Sequence, residues 1–80
     1  MGITQDLADK LAEDAIAASE DLDDPGLIDE IAKILGDTSS TTLEAFKTSV
    51  RVRLAEARAR KHLERRIAKA KGAGPGGEGG

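Results

Sequence analysis

The sequence predicts an all-α protein, a small three-helix domain with a long basic C-terminal helix and a disordered Gly-rich tail. Apolar residues recur every three or four positions in residues 3–22 and 25–35, which is the spacing of one helix face. Residues 41–71 contain no Gly or Pro and consist mainly of strong helix formers. We therefore expect helices at these three places, in a single domain of residues 1–71, with residues 72–80 as the flexible tail.

The composition limits the class of protein. The chain has 80 residues, no Cys and a single aromatic residue, Phe46, so it forms at most one domain and has neither disulfides nor a thiolate metal site. A core with so few large side chains favours close helix packing, with oligomerisation as a further source of stability. The chain contains no apolar run long enough to cross a membrane and no signal-peptide pattern, so we expect a cytoplasmic protein without membrane contact.

The formal net charge of −3 hides a strong asymmetry along the chain. Residues 1–37 contain eleven acidic residues against two lysines, a balance of −9. Residues 38–80 contain ten basic residues against four acidic ones, a balance of +6. Two such halves attract each other within one chain or between copies, and the basic half alone also suits a polyanion.

The first two helices each have one apolar side. In the first helix a broad apolar arc comprises Ile3, Leu7, Ala8, Leu11, Ala12, Ala15, Ala18 and Leu22. In the second helix the apolar face comprises Leu27, Ile28, Ile31, Ile34 and Leu35. We expect Thr4 to cap the first helix, Asp24 to cap the second with Pro25 at its first position, and Gly36 to end it.

The acidic connection between these helices partly follows the spacing of an EF-hand calcium loop. With Asp21 as the first position, Asp23 and Gly26 fit the pattern. Pro25 occupies the fifth position, and Ala32 stands where the bidentate Glu is required. We therefore interpret the loop as an acid-rich helix cap and expect no metal ion and no cofactor.

The long helix has two apolar stripes on different sides. Thr41 and Glu44 have the spacing of a capping box at its start. The first stripe is Leu43, Phe46, Val50, Leu54 and Ala57, which we expect to pack against the first two helices. The second stripe is Val52, Ala59, Leu63, Ile67 and Ala70, on roughly the opposite side. Either the helix bends near residues 57–62, or the second stripe meets another surface, namely a second copy, a different partner or the first helix.

Two sets of side chains on this helix are therefore candidate contact residues. The predicted partner interface is the C-terminal part of the second stripe: Ala59, Leu63, Ile67 and Ala70. The predicted contacts to nucleic acid or to an acidic partner are Lys47, Arg51, Arg58, Arg65, Arg66 and Lys69. All of these except Arg66 form one basic ridge, in which arginines recur every two turns, roughly 10 Å apart, a spacing that suits sequence-neutral phosphate contacts. No aromatic residue interrupts the ridge, which argues against stacking on single strands.

One segment resembles a known family. The run Ile31–Phe46, IAKILGDTSSTTLEAF, is similar to the helix-turn-helix family of DNA-binding proteins. Ala32 matches the small residue that the family has in its first helix, and Gly36 matches the glycine of its turn. Leu43 and Phe46 match its hydrophobic positions when one extra residue is allowed in the turn. Asp37 departs from the family, which buries an aliphatic side chain there. The resemblance implies that residues 40–51 of the long helix face a major groove, through Ser40, Thr41, Thr42, Glu44, Lys47, Thr48 and Arg51.

Catalysis finds little support in the sequence. The chain has one histidine, His62, and lacks Cys, Tyr and Trp, and its carboxylates lie on polar helix faces. We therefore expect a small non-enzymatic interaction or regulatory module, which binds a protein partner or itself through its long basic C-terminal helix. The alternative is a nucleic-acid-binding protein that uses the basic ridge and the helix-turn-helix-like segment 31–46.

Overall fold

A computed structural model describes residues 2–72, and these residues form three helices. Helix α1 spans Ile3–Asp21, α2 spans Gly26–Thr38 and α3 spans Ser40–Gly72. The prediction of a three-helix all-α fold is confirmed, and α3 alone has 33 residues, about 50 Å of helix. Gly72, predicted to begin the tail, is the last residue of α3, and the rest of the predicted tail lies outside the described residues.

The core lies mainly between α1 and α3 and is built from small side chains. It consists of Ala8, Ala12 and Ala15 from α1 and of Phe46 and Val50 from α3. Phe46 is the only large side chain fully buried among the described residues. Around it pack the half-buried Leu11, Ile16, Ile28, Ile31, Ala32, Leu35 and Ala45. Alanine side chains make up most of the buried face of α1, which permits close packing of α1 on α3, and Phe46 is the large side chain that fills the space between the helices.

Only the centre of the apolar arc of α1 is buried. Ile3, Leu7 and Leu22 are 75%, 61% and 68% exposed. The face that meets α3 is narrower than the arc and is completed by Ser19, whose hydroxyl donates to the carbonyl of Ile16 at 2.9 Å. The prediction that Thr4 caps α1 is wrong, because the helix begins at Ile3, directly after Gly2.

The connection between α1 and α2 is a compact pair of caps. The N–H of Asp23 donates to the carbonyl of Glu20 at 3.2 Å, and that of Asp24 to Ser19 at 2.8 Å, which is a Schellman motif. Asp23 takes the left-handed position with φ of 51°, where glycine is usual. The carboxylate of Asp24 then accepts the N–H of Gly26 at 3.1 Å, so Asp24 satisfies the first N–H of α2, as expected of a cap. The prediction that Pro25 is the first helical residue is wrong by one position, because α2 begins at Gly26 and Pro25 directly precedes it.

The connection between α2 and α3 is one residue, Ser39, in extended conformation. The prediction that Gly36 ends α2 is wrong, since the helix continues to Thr38, whose hydroxyl donates to the carbonyl of Ile34 at 3.2 Å. The predicted capping box at Thr41 is wrong as well. The hydroxyl of Ser39 accepts the N–H of Thr42 at 3.2 Å, so Ser39 caps α3 and Thr41 lies inside the helix.

Helix α3 consists of a packed part and an exposed part. Residues 40–53 contain all of its buried and half-buried positions, whereas every residue from 54 to 72 is exposed. We call residues 54–72 the overhang. The prediction that the first stripe packs along its whole length is wrong for Leu54, which is 39% exposed, and for Ala57, because α1 and α2 cover only the first part of α3. The helix is continuous through residues 57–62, so no interruption turns the second stripe towards the domain.

Candidate interaction surface

The second stripe lies on the surface of α3. Val52, Leu63 and Ile67 are 61%, 52% and 45% exposed, and Ala59 and Ala70 are exposed beside them. At 100° per residue the stripe is about a third of a turn away from the side that holds Phe46 and Val50. The structure therefore places all four predicted interface residues, Ala59 to Ala70, together on one accessible face of the overhang.

The basic ridge follows a different side of the same helix. Arg51, Arg58, Arg65 and Lys69 are exposed, Lys47 is half-buried, and Arg66 is exposed between the ridge and the second stripe. Within the described residues none of these six side chains has a carboxylate within 4.0 Å. The acidic residues of the overhang, Glu56 and Glu64, lie on other sides, and the Nε of Arg60 donates to Glu56 at 2.7 Å.

An open groove of about 670 Å³ separates part of α1 from part of α3. From α1 it is lined by Gln5, Asp9, Glu13, Ile16 and Glu20, and from α3 by Thr48, Ser49, Val52, Arg53, Leu54, Glu56 and Ala57. Val52 thus belongs to both the groove and the second stripe. The second stripe therefore begins at the groove, at Val52, and runs onto the overhang.

The groove is acidic. Four carboxylates line it, from Asp9, Glu13, Glu20 and Glu56, against the single guanidinium of Arg53. Arg53 donates from Nε to the hydroxyl of Ser49 at 3.2 Å, which fixes it against the α3 wall. We refer to this feature as the acidic groove. Its apolar floor and acidic rim suit a basic amphipathic helix.

Sequence reasoning missed the acidic groove, although a signal was present. Asp9, Glu13, Ile16 and Glu20 follow each other at spacings of three and four, which places them on one side of α1. The sequence does not show that this side borders α3, because that depends on the packing of the two helices. The contact residues predicted from the sequence therefore all lie on α3.

The helix-turn-helix-like segment has the order helix, Ser39, helix. Gly36 and Asp37, expected in the turn, belong to α2, and the residues from Ser40 onwards belong to α3. Of the side chains that the resemblance assigns to a major groove, Thr42 and Lys47 are half-buried. The exposed ones are Ser40, Thr41, Glu44, Thr48 and Arg51.

Residues 2–72 contain no group of three or more His, Asp or Glu side chains placed to hold a metal ion. None of the three helices has both the length and the apolar character that a bilayer span requires. No protein-family model, no curated protein and no solved structure matches the chain. The surface of α3 and the acidic groove are the candidate functional features of the described residues.

Proposed function

We propose that this chain is a small non-enzymatic interaction module, which binds a protein partner or a second copy of itself through the overhang of α3. One observation carries the proposal: residues 54–72 form a helix that extends beyond the core with every side chain exposed. Most of the stability of a helix in a protein comes from packing of one of its faces, and no face of the overhang is buried. A partner that covers one side of the overhang would supply the missing contacts.

The pattern of side chains on the overhang supports a helix-binding partner. Leu63 and Ile67 lie one turn apart on the same face, flanked by Ala59 and Ala70, which permit close approach of a second helix. The overhang also carries seven basic residues against Glu56 and Glu64. An acidic partner surface would accelerate association and set the orientation of the complex.

The non-enzymatic part of the proposal rests on chemistry. His62, the only imidazole of the chain, stands on the exposed overhang, and no cysteine is present as a nucleophile. The carboxylates described in the structure are exposed or half-buried on helix surfaces, without the enclosed polar cluster that catalysis needs.

The double variant Leu63→Asp with Ile67→Asp tests the proposal. We expect it to lose self-association, measured as native mass by light scattering, or to lose capture of the partner, while far-UV circular dichroism stays nearly unchanged. The matched control uses two single variants, Ile67→Asp and Ala68→Asp. They add the same charge at neighbouring residues whose side chains point about 100° apart around the helix. If the double variant behaves as the wild type in both mass and capture, the second stripe is not an interface.

A second candidate function is nucleic-acid binding through the basic ridge. The observation that favours it is the absence of acidic partners along the ridge from Lys47 to Lys69 in the described structure. Phosphate contacts release counterions, so the affinity for duplex DNA would fall steeply with salt.

The double variant Arg58→Ala with Arg65→Ala tests this second candidate. The slope of log affinity against log salt is negative, and removal of two phosphate contacts is expected to make it shallower by about 2. The matched control is Arg60→Ala with Lys71→Ala, which removes the same charge from another side of α3. Equal losses in the two variants would show a response to total charge and would exclude the ridge as a specific site.

A further inference from the structure

We infer that the acidic groove binds the overhang of a second copy of this chain, so that two copies form an antiparallel, two-fold symmetric dimer. Each overhang lies in the acidic groove of the other copy. This inference rests on the proposed function and specifies its partner as the chain itself. It joins two surfaces with opposite charge, the acidic groove and the basic overhang.

The apolar side of the overhang begins at the acidic groove. Val52 lines the acidic groove, and Leu63 and Ile67 lie further along the same side of α3. In a two-fold interface, residue i of one copy contacts residue j of the other, and j contacts i in return. A two-fold axis between residues 57 and 58 pairs Val52 with Leu63 and Thr48 with Ile67. Both members of each pair belong to the acidic groove or to the second stripe.

The two-fold axis also determines which side of the overhang meets the other copy's α1. Eighteen residues make five full turns of helix, so side chains eighteen residues apart point in the same direction. Lys71 therefore points in the same direction as Arg53, and Ile67 points in the same direction as Ser49. Ser49 and Arg53 lie towards α1, because both line the groove between the two helices. A two-fold axis normal to the plane of the paired helices leaves that direction unchanged. The overhang therefore presents Ile67, Lys71 and, between them, Arg60 to the other copy's α1.

Side chains of opposite charge meet in this dimer. The wall of α1 in the acidic groove carries Asp9, Glu13 and Glu20 around the half-buried Ile16. Arg60 and Lys71 of the overhang would approach these carboxylates while Ile67 approaches Ile16. A dimer in which the overhangs paired only with each other would instead bring two strongly basic helices together, which is unfavourable.

The size of the contact sets its strength. The proposed pairing covers residues 48–67 of both chains, roughly 30 Å of helix. Two such grooves bury on the order of 1,000 Å² in total, near the lower limit of stable interfaces. We therefore expect a dimer that dissociates on dilution and with salt.

Charge exchange in the full-length chain tests the inference. The groove variant is Glu13→Lys with Glu20→Lys, and the overhang variant is Arg60→Glu with Lys71→Glu. We expect each variant alone to show the monomer mass of 8.4 kDa in sedimentation equilibrium. An equimolar mixture restores twice that mass, because both grooves in the mixed dimer again face an overhang of opposite charge. The control Arg58→Glu with Lys69→Glu changes the opposite side of the overhang and stays dimeric.

A cross-link tests the register separately. Because the chain has no cysteine, Val52→Cys and Leu63→Cys each introduce a single thiol. We expect a mixture of the two to form a disulfide-linked dimer under mild oxidation, since the paired positions face each other across the interface. A mixture of Arg51→Cys with Leu63→Cys should not, because Arg51 lies on the basic ridge, on another side of α3, and does not line the acidic groove.

The outcomes separate this inference from the proposed function. A wild-type chain that stays monomeric at high concentration overturns the dimer, and so does a charge-exchanged mixture that stays monomeric. Under either result the proposed function still stands if Leu63→Asp with Ile67→Asp abolishes binding to a different protein. A wild-type dimer that both charge variants preserve would show self-association through another surface, and would also overturn the inference.

Discussion

The Cδ2 methyl group of Leu43 lies so close to Gly36 that a Cβ atom at position 36 would stand 3.3 Å from it. The contact joins α2 to α3 across the single connecting residue, Ser39. Gly36 is helical, so its role is to leave space for Leu43 and not to end the helix.

The variant Gly36→Ala is expected to stabilise the domain by about 0.5 kcal/mol. Alanine removes the helix penalty of glycine, about 0.5–1 kcal/mol, and part of that gain is lost in moving the methyl end of Leu43 by a few tenths of an ångström. In a Leu43→Ala background the crowding disappears, so the gain from the alanine should be larger. Urea denaturation followed by far-UV circular dichroism measures this cycle. A net loss above about 1 kcal/mol in the single variant would show that Leu43 is locked in place.

The variant Ser39→Ala is expected to destabilise the domain by about 1 kcal/mol, because it removes the cap of α3. The hydroxyl of Ser39 accepts the N–H of Thr42 and also lies 2.9 Å from the hydroxyl of Thr42. Thr41→Ala is the matched control, since Thr41 is exposed inside the helix and should change stability little. Thermal denaturation of both variants decides which residue is the cap, and a larger effect at Thr41 would restore the capping box predicted from sequence.

The variant Asp23→Gly is expected to raise the free energy of unfolding by about 0.5–1 kcal/mol, because glycine takes positive φ without a steric penalty. It also removes a negative charge from the C-terminal end of α1, where the helix dipole disfavours it. Asp21→Gly is the control with the opposite sign, since Asp21 is the last helical residue of α1. Denaturant midpoints at one protein concentration make the comparison. A destabilised Asp23→Gly would mean that the Asp23 side chain contributes to the connection.

The variant Phe46→Ala is expected to cost about 3 kcal/mol or more, because it empties the centre of the core. A domain of this size is stable by only about 4–10 kcal/mol, so the variant should be largely unfolded under mild conditions. Leu54→Ala is the control, since Leu54 lies just beyond the packed part of α3 and should cost less than about 1 kcal/mol. Equal costs at the two positions would extend the core into the overhang.

Local sequence patterns were sufficient to predict the helices of this protein. The spacing of apolar residues and the absence of Gly and Pro from residues 41–71 give three helices whose observed ends differ by at most three residues from those predicted. The capping role of Asp24 was also predictable, because Asp-Pro before an apolar run is a strong local signal. The cap of α3 was not, since Thr38, Ser39, Ser40 and Thr41 are all capable of the same hydrogen bond.

Features that depend on how the helices pack against each other could not be predicted from the sequence. The apolar arc of α1 includes Ile3 and Leu7 as well as the alanines, and only packing against α3 shows that the alanines are the buried part. The end of the core near Arg53 depends in the same way on where α1 and α2 lie along α3. For the candidate surface, the second stripe and the basic ridge follow from spacing on one helix, whereas the acidic groove needs two.

The helix content of the overhang depends on whether a partner is bound to it. Residues 40–53 are held by the core, whereas the side chains of the turns beyond them are exposed, so these turns open more easily than the packed part of the helix. Any partner must therefore order these turns as it binds, and part of the binding enthalpy is the heat of forming helix. Calorimetry of the complex would register this contribution as a binding enthalpy that becomes more favourable as the free chain is warmed.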